Sequence, residues 1–334
     1  MKPVNIALIG TGYIADYHVR GLLEQPGVKI TGVAAATASS VKKFAEKYKI
    51  KGVLTTDVSL LAKRDDIDAA VISTPNKYHA PYALEFMSHG KDVFLEKPMA
   101  MNAREGEEIL KTAEKTGRLV MTGHMWRFDE EVNYMKEAVA SGVLGRIVTT
   151  RGYGIHVNWG PGGWFTQKEL AGGGALIDMG VHAIDTVRYI LGDPLPRTVY
   201  ARIGTYFGDY DVDDTGILVI TWDNGTVSVI ESGWWQPHAG GPEAATRLSG
   251  TKAYGSVFPT FLEKKDAPRE EYKLSGPPKQ EHCDQRIYTR QMEHFISCVR
   301  TRRQPSPGVR EGQVIMEIVD AAYLSARKNE VIRL

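Results

Sequence analysis

Asp178 and His182 stand four residues apart behind the run Gly172-Gly173-Gly174, and Lys97 lies between Glu96 and Pro98. These side chains offer what an alcohol–carbonyl interconversion asks of a protein. A proton must leave or join the oxygen, and histidine has the unperturbed pKa that suits this near neutrality. His182 is therefore the candidate for proton transfer. Lys97 can donate to the substrate oxygen and stabilise the alkoxide-like charge of the transition state. Asp178 can orient the imidazole or bond a neighbouring hydroxyl, because positions four apart on an α-helix share a face. The same spacing also suits a polar pair on a solvated helix face. His156, Asp178 and His182 could be read as metal ligands, but no signature such as His-Glu-x-x-His accompanies them, so no metal is expected.

Redox chemistry at carbon needs a hydride carrier, and Gly10-Thr11-Gly12-Tyr13-Ile14-Ala15 is placed to hold one. It follows the strand-like run Ile6–Ile9 and opens a helix, in the G-x-G-x-x-G/A arrangement. Gly10 allows the tight turn, Gly12 lets the backbone approach a pyrophosphate, and Ala15 lets helix and strand pack closely. Helix N–H groups and the helix dipole then hold the phosphates, with Tyr13 and Ile14 alongside. An acidic residue should close the second strand and bond the ribose 2′-hydroxyl. The tip instead reads Val33-Ala34-Ala35-Ala36-Thr37-Ala38-Ser39-Ser40-Val41-Lys42-Lys43, with no carboxylate. Thr37, Ser39, Ser40 and one lysine could contact a 2′-phosphate, although such a lysine pair commonly marks a solvated helix face. NADP is expected ahead of NAD.

The elements that position these groups fall into two halves. Up to residue 123, short apolar runs (Ile6–Ile9, Ile30–Ala34, Ala69–Ser73, Asp92–Leu95, Leu119–Met121) alternate with segments of helical periodicity. That alternation predicts a doubly wound parallel sheet. Its ligands bind outside the carboxyl ends of strands, so Thr74, Pro75, Asn76 and His79 after one strand and Glu96 and Lys97 after another are expected beside the dinucleotide. Glu96 serves the backbone or the orientation of Lys97. Pro98 rigidifies that turn. From residue 124 to 334 the rhythm changes to an α+β pattern, with helices near 129–141, 175–191, 286–303 and 309–328. Strands are predicted at Arg146–Tyr153, Thr198–Ile203, Gly216–Trp222, Val227–Ser232 and Thr246–Leu248. Asp223-Asn224-Gly225-Thr226 is a hairpin signal, and 262–281 reads as an exposed excursion.

Of 334 residues, 43% are hydrophobic and 24% charged, which suits a globular chain. Lys+Arg 41 against Asp+Glu 40 gives +1, so no bulk positive field is available for nucleic acid. No apolar stretch approaches the roughly 18 residues of a membrane helix. Cys283 and Cys298 fit neither a disulfide framework nor a Cys-x-x-Cys site, which points to a reducing, cytoplasmic setting.

Taken in order, Gly10–Ala15, Thr74-Pro75-Asn76 with His79, Glu96-Lys97-Pro98, Gly123-His124-Met125-Trp126-Arg127-Phe128 and the glycine-led Asp178-x-x-x-His182 helix resemble the Gfo/Idh/MocA family. That group includes glucose-fructose oxidoreductase and inositol dehydrogenase. The resemblance implies an N-terminal Rossmann domain, a C-terminal α+β domain with a large, mostly antiparallel sheet, and assembly as a dimer or tetramer. It implies NAD(P)-dependent oxidoreduction of a sugar, cyclitol or related polyol. The missing acid after the second strand departs from the family's NAD pattern. Two rivals follow from the same resemblance: a non-catalytic dinucleotide sensor and a redox-assisted glycoside hydrolase. Retention of Lys97, Asp178 and His182 speaks against the sensor. On the substrate side, all six tryptophans (126, 159, 164, 222, 234, 235) follow Gly123 and could face a sugar ring or build core. Trp159 and Trp164 lie in a Gly/Pro loop just ahead of Asp178. Trp126, Arg127, Tyr153, His156, Asn158 and Trp164, with Asp178, are the expected polyol contacts.

Overall fold

The computed structural model describes residues 3–156, 161–235, 243–264, 266–277 and 284–334. Contacts divide the chain into two compact units, Met1–Met125 with Cys283–Gln313, and Trp126–His282 with Val314–Leu334. The first holds a six-stranded parallel sheet in the order β3-β2-β1-β4-β5-β6, formed by β1 (Val4–Ile9), β2 (Val28–Ala34), β3 (Val53–Thr55), β4 (Ala69–Ile72), β5 (Asp92–Leu95) and β6 (Val120–Thr122). The order reverses between β1 and β4, the switch point where doubly wound sheets bind ligands. Helices α1 (Tyr13–Leu23), α2 (Ala38–Tyr48), α3 (Val58–Ala62), α4 (His79–Ser88) and α5 (Ala103–Thr116) connect the strands. Burial follows from sequence: β1, β4, β5 and β6 are near-continuous apolar runs, as strands covered on both faces require.

The second unit opens with α6 (Glu130–Ala140). Its sheet runs, among the described residues, β14-β13-β12-β11-β7-β10-β9-β8-β15. The strands are β7 (Ile147–Ile155), β8 (Pro196–Gly204), β9 (Thr215–Trp222), β10 (Val227–Gly233), β11 (Ala244–Gly250), β12 (Ala253–Val257), β13 (Phe261–Lys264), β14 (Glu270–Glu271) and β15 (Ile332–Arg333). Every pairing is antiparallel except β10 with β7. The hairpin expected at Asp223–Thr226 joins β9 to β10, with Gly225 at φ 83°. The 262–281 excursion is corrected in part, because Phe261 and Leu262 are buried in β13 and β14 pairs with it.

Short α7 (Lys168–Ala171) precedes a π-helical turn, Leu176–Gly180, that runs into α8 (Val181–Ile190). Two helices follow, α9 (Gln285–Thr301) and α10 (Val309–Lys328). The sequence places all of α9 beyond the change of rhythm at 123, yet it packs on α1 in the first unit. A side chain at Gly21 of α1 would meet Thr289, Met292 and the Tyr288 carbonyl. Among the described residues, no helix is long and apolar enough to cross a membrane.

Candidate active site

The glycine turn closes the carboxyl end of β1. Gly10 donates its N–H to the Ala34 carbonyl (2.8 Å) and sits at φ 103°, where a Cβ would collide with the Ser73 carbonyl. Its conformation is therefore needed by the fold itself. Gly12 differs: its φ of −79° suits any residue, and a Cβ there would meet nothing within 4 Å. Ala15 is buried, as close helix–strand packing requires, and Tyr13 is 63% exposed with its hydroxyl 2.9 Å from that of Tyr17. One residue beyond Ser73, the Thr74 hydroxyl oxygen is buried and has no hydrogen-bond partner among the described residues. A bare backbone at Gly12 and an orphaned hydroxyl at the end of β4 fit a dinucleotide pyrophosphate.

At the tip of β2, Thr37 caps α2 by accepting the Ser40 N–H (3.2 Å), and the hydroxyls of Ser39 and Ser40 lie within 3.2 Å and 3.0 Å of its oxygen. The nearby carboxylate of Asp16 is taken by Lys47 (2.8 Å) and the Tyr48 hydroxyl (2.6 Å). Lys42 is exposed, with Glu46 3.9 Å away along the helix.

The ends of β4 and β5 are braced by two buried histidines. His79 was expected against the cofactor. Instead its Nδ1 lies 2.8 Å from the Pro98 carbonyl and its Nε2 2.9 Å from that of Thr74, so both ring nitrogens serve the two loops. Burial lowers its pKa, against the pull of those carbonyls. Glu96, also expected beside the cofactor, uses one oxygen on His18 Nε2 (2.6 Å) and the other on the Lys97 N–H (3.0 Å). Burial alone would raise the Glu96 pKa, but the His18 hydrogen bond holds it below the usual range. The Lys97–Pro98 peptide is cis, Asn76 is buried, Pro75 and Ile14 are half-buried, and Lys97 is half-exposed.

In the second unit, Asp178 and His182 are 8% and 7% exposed. The π-helical turn widens the backbone between them, so the simple α-helical spacing read from sequence does not hold. The Trp234 indole donates to Asp178 Oδ2 (2.9 Å), and His156 Nε2 lies 4.0 Å from the same oxygen. His156 Nδ1 reaches Glu243 at 3.1 Å. The His182 ring rests on Trp126 with centroids 5.0 Å apart, and Trp126 in turn meets Phe258 edge-on. Ala175, Met179, Val212 and Trp234 form an apolar cluster under this turn, closed by Phe165, Tyr210 and Trp235. Trp164 stacks on Phe165 (3.9 Å) and is half-buried.

The glycine run ahead of Asp178 has a cause in packing. Gly172 ends α7 at φ 82°, a Cβ on Gly173 would strike the Tyr323 hydroxyl, and one on Gly174 would strike the Asp213 backbone. Asp213 accepts the N–H groups of Gly174 and Leu176 (both 2.8 Å) and the Tyr323 hydroxyl (2.7 Å). Burial pushes its pKa up in spite of these donors. Sequence reasoning missed Asp213, Glu243 and His18; the triplet Asp211-Val212-Asp213 just before β9 was the available signal for the first. Asp213→Ala is expected to lower unfolding free energy by about 3 kcal/mol, and Tyr323→Phe by about 1 kcal/mol, since buried donors lose their acceptor in the first case only. Urea denaturation of both variants checks the order; equal losses would remove Asp213 as the organising group.

Two expected polyol contacts lie elsewhere. Arg127 is buried, with Nε on both Asp185 oxygens (3.0 and 2.9 Å) and its terminal nitrogens on Asp193 and Asp185. Burial opposes its charge, but Asp185 first and then Asp193 outweigh that and raise its pKa. Tyr153 alternates along β7 with Gly152 and Gly154. Those glycines face Val187 of α8 and the Met179 carbonyl, so Tyr153 projects from the opposite face of the sheet to Asp178. Asn158 and Trp159 lie outside the described residues. Trp222 is core, its indole on Ser228 (2.6 Å). Among the described residues no group of three or more His, Cys, Asp or Glu side chains could hold a metal ion.

These two constellations have counterparts among known proteins. Residues 4–124 match the oxidoreductase family with an NAD-binding Rossmann fold, and residues 132–254 match the GFO/IDH/MocA C-terminal domain. D-glucoside 3-dehydrogenase of Escherichia coli (strain K12) is 29% identical, covering 100% of this chain and 98% of its own. The NAD⁺-dependent scyllo-inositol 2-dehydrogenase of Bacillus subtilis (strain 168) is 25% identical over 99% of this chain and 96% of its own. In fold, a levoglucosan dehydrogenase solved with NADH and L-sorbose superposes with a TM-score of 0.90 at 23% identity, covering 100% of this chain and 99% of that one. With both domain types matched in order over more than half its length, the chain belongs to the Gfo/Idh/MocA family of oxidoreductases.

Proposed function

We propose that this protein interconverts an alcohol and a carbonyl on a sugar, cyclitol or related polyol, with NADP or NAD as partner. The observation that carries the substrate class is the group around Asp178. A buried carboxylate fixed by Trp234, an imidazole at 4.0 Å and an aromatic cluster combine hydrogen-bonding groups for hydroxyls with apolar surface for C–H faces. When bound, the nicotinamide accepts or gives the hydride. Gly10, Gly12, Thr74 and Asn76 hold the dinucleotide, with Tyr13, Ile14 and Pro75 beside it. Lys97 donates to the substrate oxygen, His182 takes or returns the hydroxyl proton, and Asp178 with His156 positions hydroxyl groups. Two of the dehydrogenases named above are a D-glucoside 3-dehydrogenase and a scyllo-inositol 2-dehydrogenase, which supports this class. A panel of methyl glucosides, scyllo-inositol, myo-inositol and levoglucosan, followed at the absorbance of reduced nicotinamide, tests it. Tight dinucleotide binding without turnover on any of them would favour the sensing role, and release of a sugar from a glycoside without net reduction would favour hydrolysis.

The 2′-position of the dinucleotide meets Thr37, Ser39 and Ser40 at the start of α2, where hydroxyls and helix N–H groups favour an anion. NADPH is expected to bind more tightly than NADH, and Ala36→Asp to reverse or erase the preference by placing a carboxylate against the phosphate. Calorimetric titration with both reduced dinucleotides checks this. Equal or tighter NADH binding in the parent protein would sink it.

A further inference from the structure

His18 lies on α1, beyond the glycine turn and without a role in it. Its side chain is 0% exposed, wedged edge-on against Phe94 of β5 (4.8 Å) and Tyr288 of α9 (5.5 Å). Such a position in an aromatic core would suit a leucine. The ring instead aims Nε2 at Glu96 Oε1 (2.6 Å), while among the described residues no atom bonds Nδ1. With its N–H on Nε2, a neutral ring would donate to this carboxylate. Glu96 is itself buried, and its second oxygen accepts the Lys97 N–H. Room for this carboxyl is kept by Gly123, where a Cβ would lie 2.9 Å from it. Glu96 also interacts electrostatically with the Lys97 charge.

We propose that His18 is a positioning residue for Lys97, acting through Glu96. A carboxyl buried here with the Lys97 N–H as its one remaining donor would take up a proton, because desolvation disfavours the anion. The His18 N–H keeps Glu96 ionised. The anion then fixes the Lys97 backbone through a charge-assisted bond and faces the lysine with a negative charge. The inference rests on the role given above to Lys97 and extends it to a residue on a different element.

The test uses the full chain, with His18→Met to remove the donor, His18→Gln to return an N–H, Glu96→Gln to remove the charge, and Lys97→Met as reference. NADPH affinity, thermal melts, and kcat and KM on whichever of methyl glucoside, scyllo-inositol or levoglucosan turns over are measured for each. Losing one charge-assisted hydrogen bond is expected to cost His18→Met about 10- to 100-fold in kcat, with KM and NADPH affinity near parent and most of the loss restored in His18→Gln. Glu96→Gln should show the same split. A folded His18→Met with parent kcat overturns the proposal, as does a parallel fall of kcat and NADPH affinity without rescue by Gln. If His18→Met does not fold, parent-like kcat in Glu96→Gln overturns it. One readout needs no substrate: nitrogen-15 spectra of the histidine-labelled parent should show His18 protonated at Nε2, and protonation at Nδ1 alone overturns the scheme. Full activity in Lys97→Met would instead remove the role of Lys97 itself, whereas an inactive Lys97→Met beside active His18→Met and Glu96→Gln removes only the link from His18.

Discussion

His182→Ala is expected to lower kcat by about 10²- to 10⁴-fold, the usual worth of a positioned acid–base group. Lys97→Met should lose about 10²- to 10³-fold, the scale of one missing donor to a developing oxyanion. Asp178→Asn should lose less, since an amide still accepts from the Trp234 indole but carries no charge. Dinucleotide affinity separates the roles. His182 belongs to the second unit and the glycine turn to the first, so His182→Ala should bind NADPH as the parent does. Lys97 follows β5 at the carboxyl end of that strand, where we propose the dinucleotide binds, and some weakening there is consistent with its proposed role. Turnover, dinucleotide titration and a thermal melt are compared for each variant. A folded His182→Ala that works at near the parent rate would return Asp178 and His182 to a polar pair on a helix, and the sensing role would gain.

The second large effect separates two glycines that look alike in sequence. Gly12→Val should fold and melt as the parent does, because its backbone angles suit valine and a Cβ there meets open space. It should nevertheless bind dinucleotide poorly: forcing a side chain into a rigid contact costs about 1–3 kcal/mol, or about 5- to 150-fold in affinity. Gly10→Ala should do the reverse, losing stability at φ 103° against the Ser73 carbonyl before any ligand is added. Fluorescence titration and melting curves of the pair decide the matter. Unchanged affinity in a folded Gly12→Val would remove the turn from the binding site.

What could be read in advance was what is local. The strand, glycine turn and helix at residues 4–23 are contiguous, and the absent acid after β2 is visible in ten residues. Side chains whose partners are distant in sequence were misplaced. Arg127 offers a free guanidinium to the eye, yet Asp185 and Asp193, some 60 residues on, claim it. The sequence around Tyr153 does not show the parity of β7, and one step along a strand exchanges faces. His79 completes a local motif in sequence, but its two nitrogens are shared between loops that only the parallel order of β4 and β5 brings together. Gly173 and Gly174 read only as the lead into the Asp178 helix; they are small because Tyr323 and Asp213 occupy the space.

The placement of α9 bears on how the polypeptide matures. The sheet of the first unit is complete in sequence by Thr122, but α1 still lacks the helix that covers Tyr17, His18 and Gly21. At roughly 5–20 residues per second, a ribosome needs about 10–35 s more to reach the end of α9. During that interval residues 126–282 of the second unit emerge while both units still await chain to come, and an apolar flank of α1 stays open to chaperones or to neighbouring nascent chains. A fragment ending near residue 125 should therefore be insoluble when expressed alone, whereas one that appends residues 284–313 through a short linker should be recovered as a folded dinucleotide-binding unit.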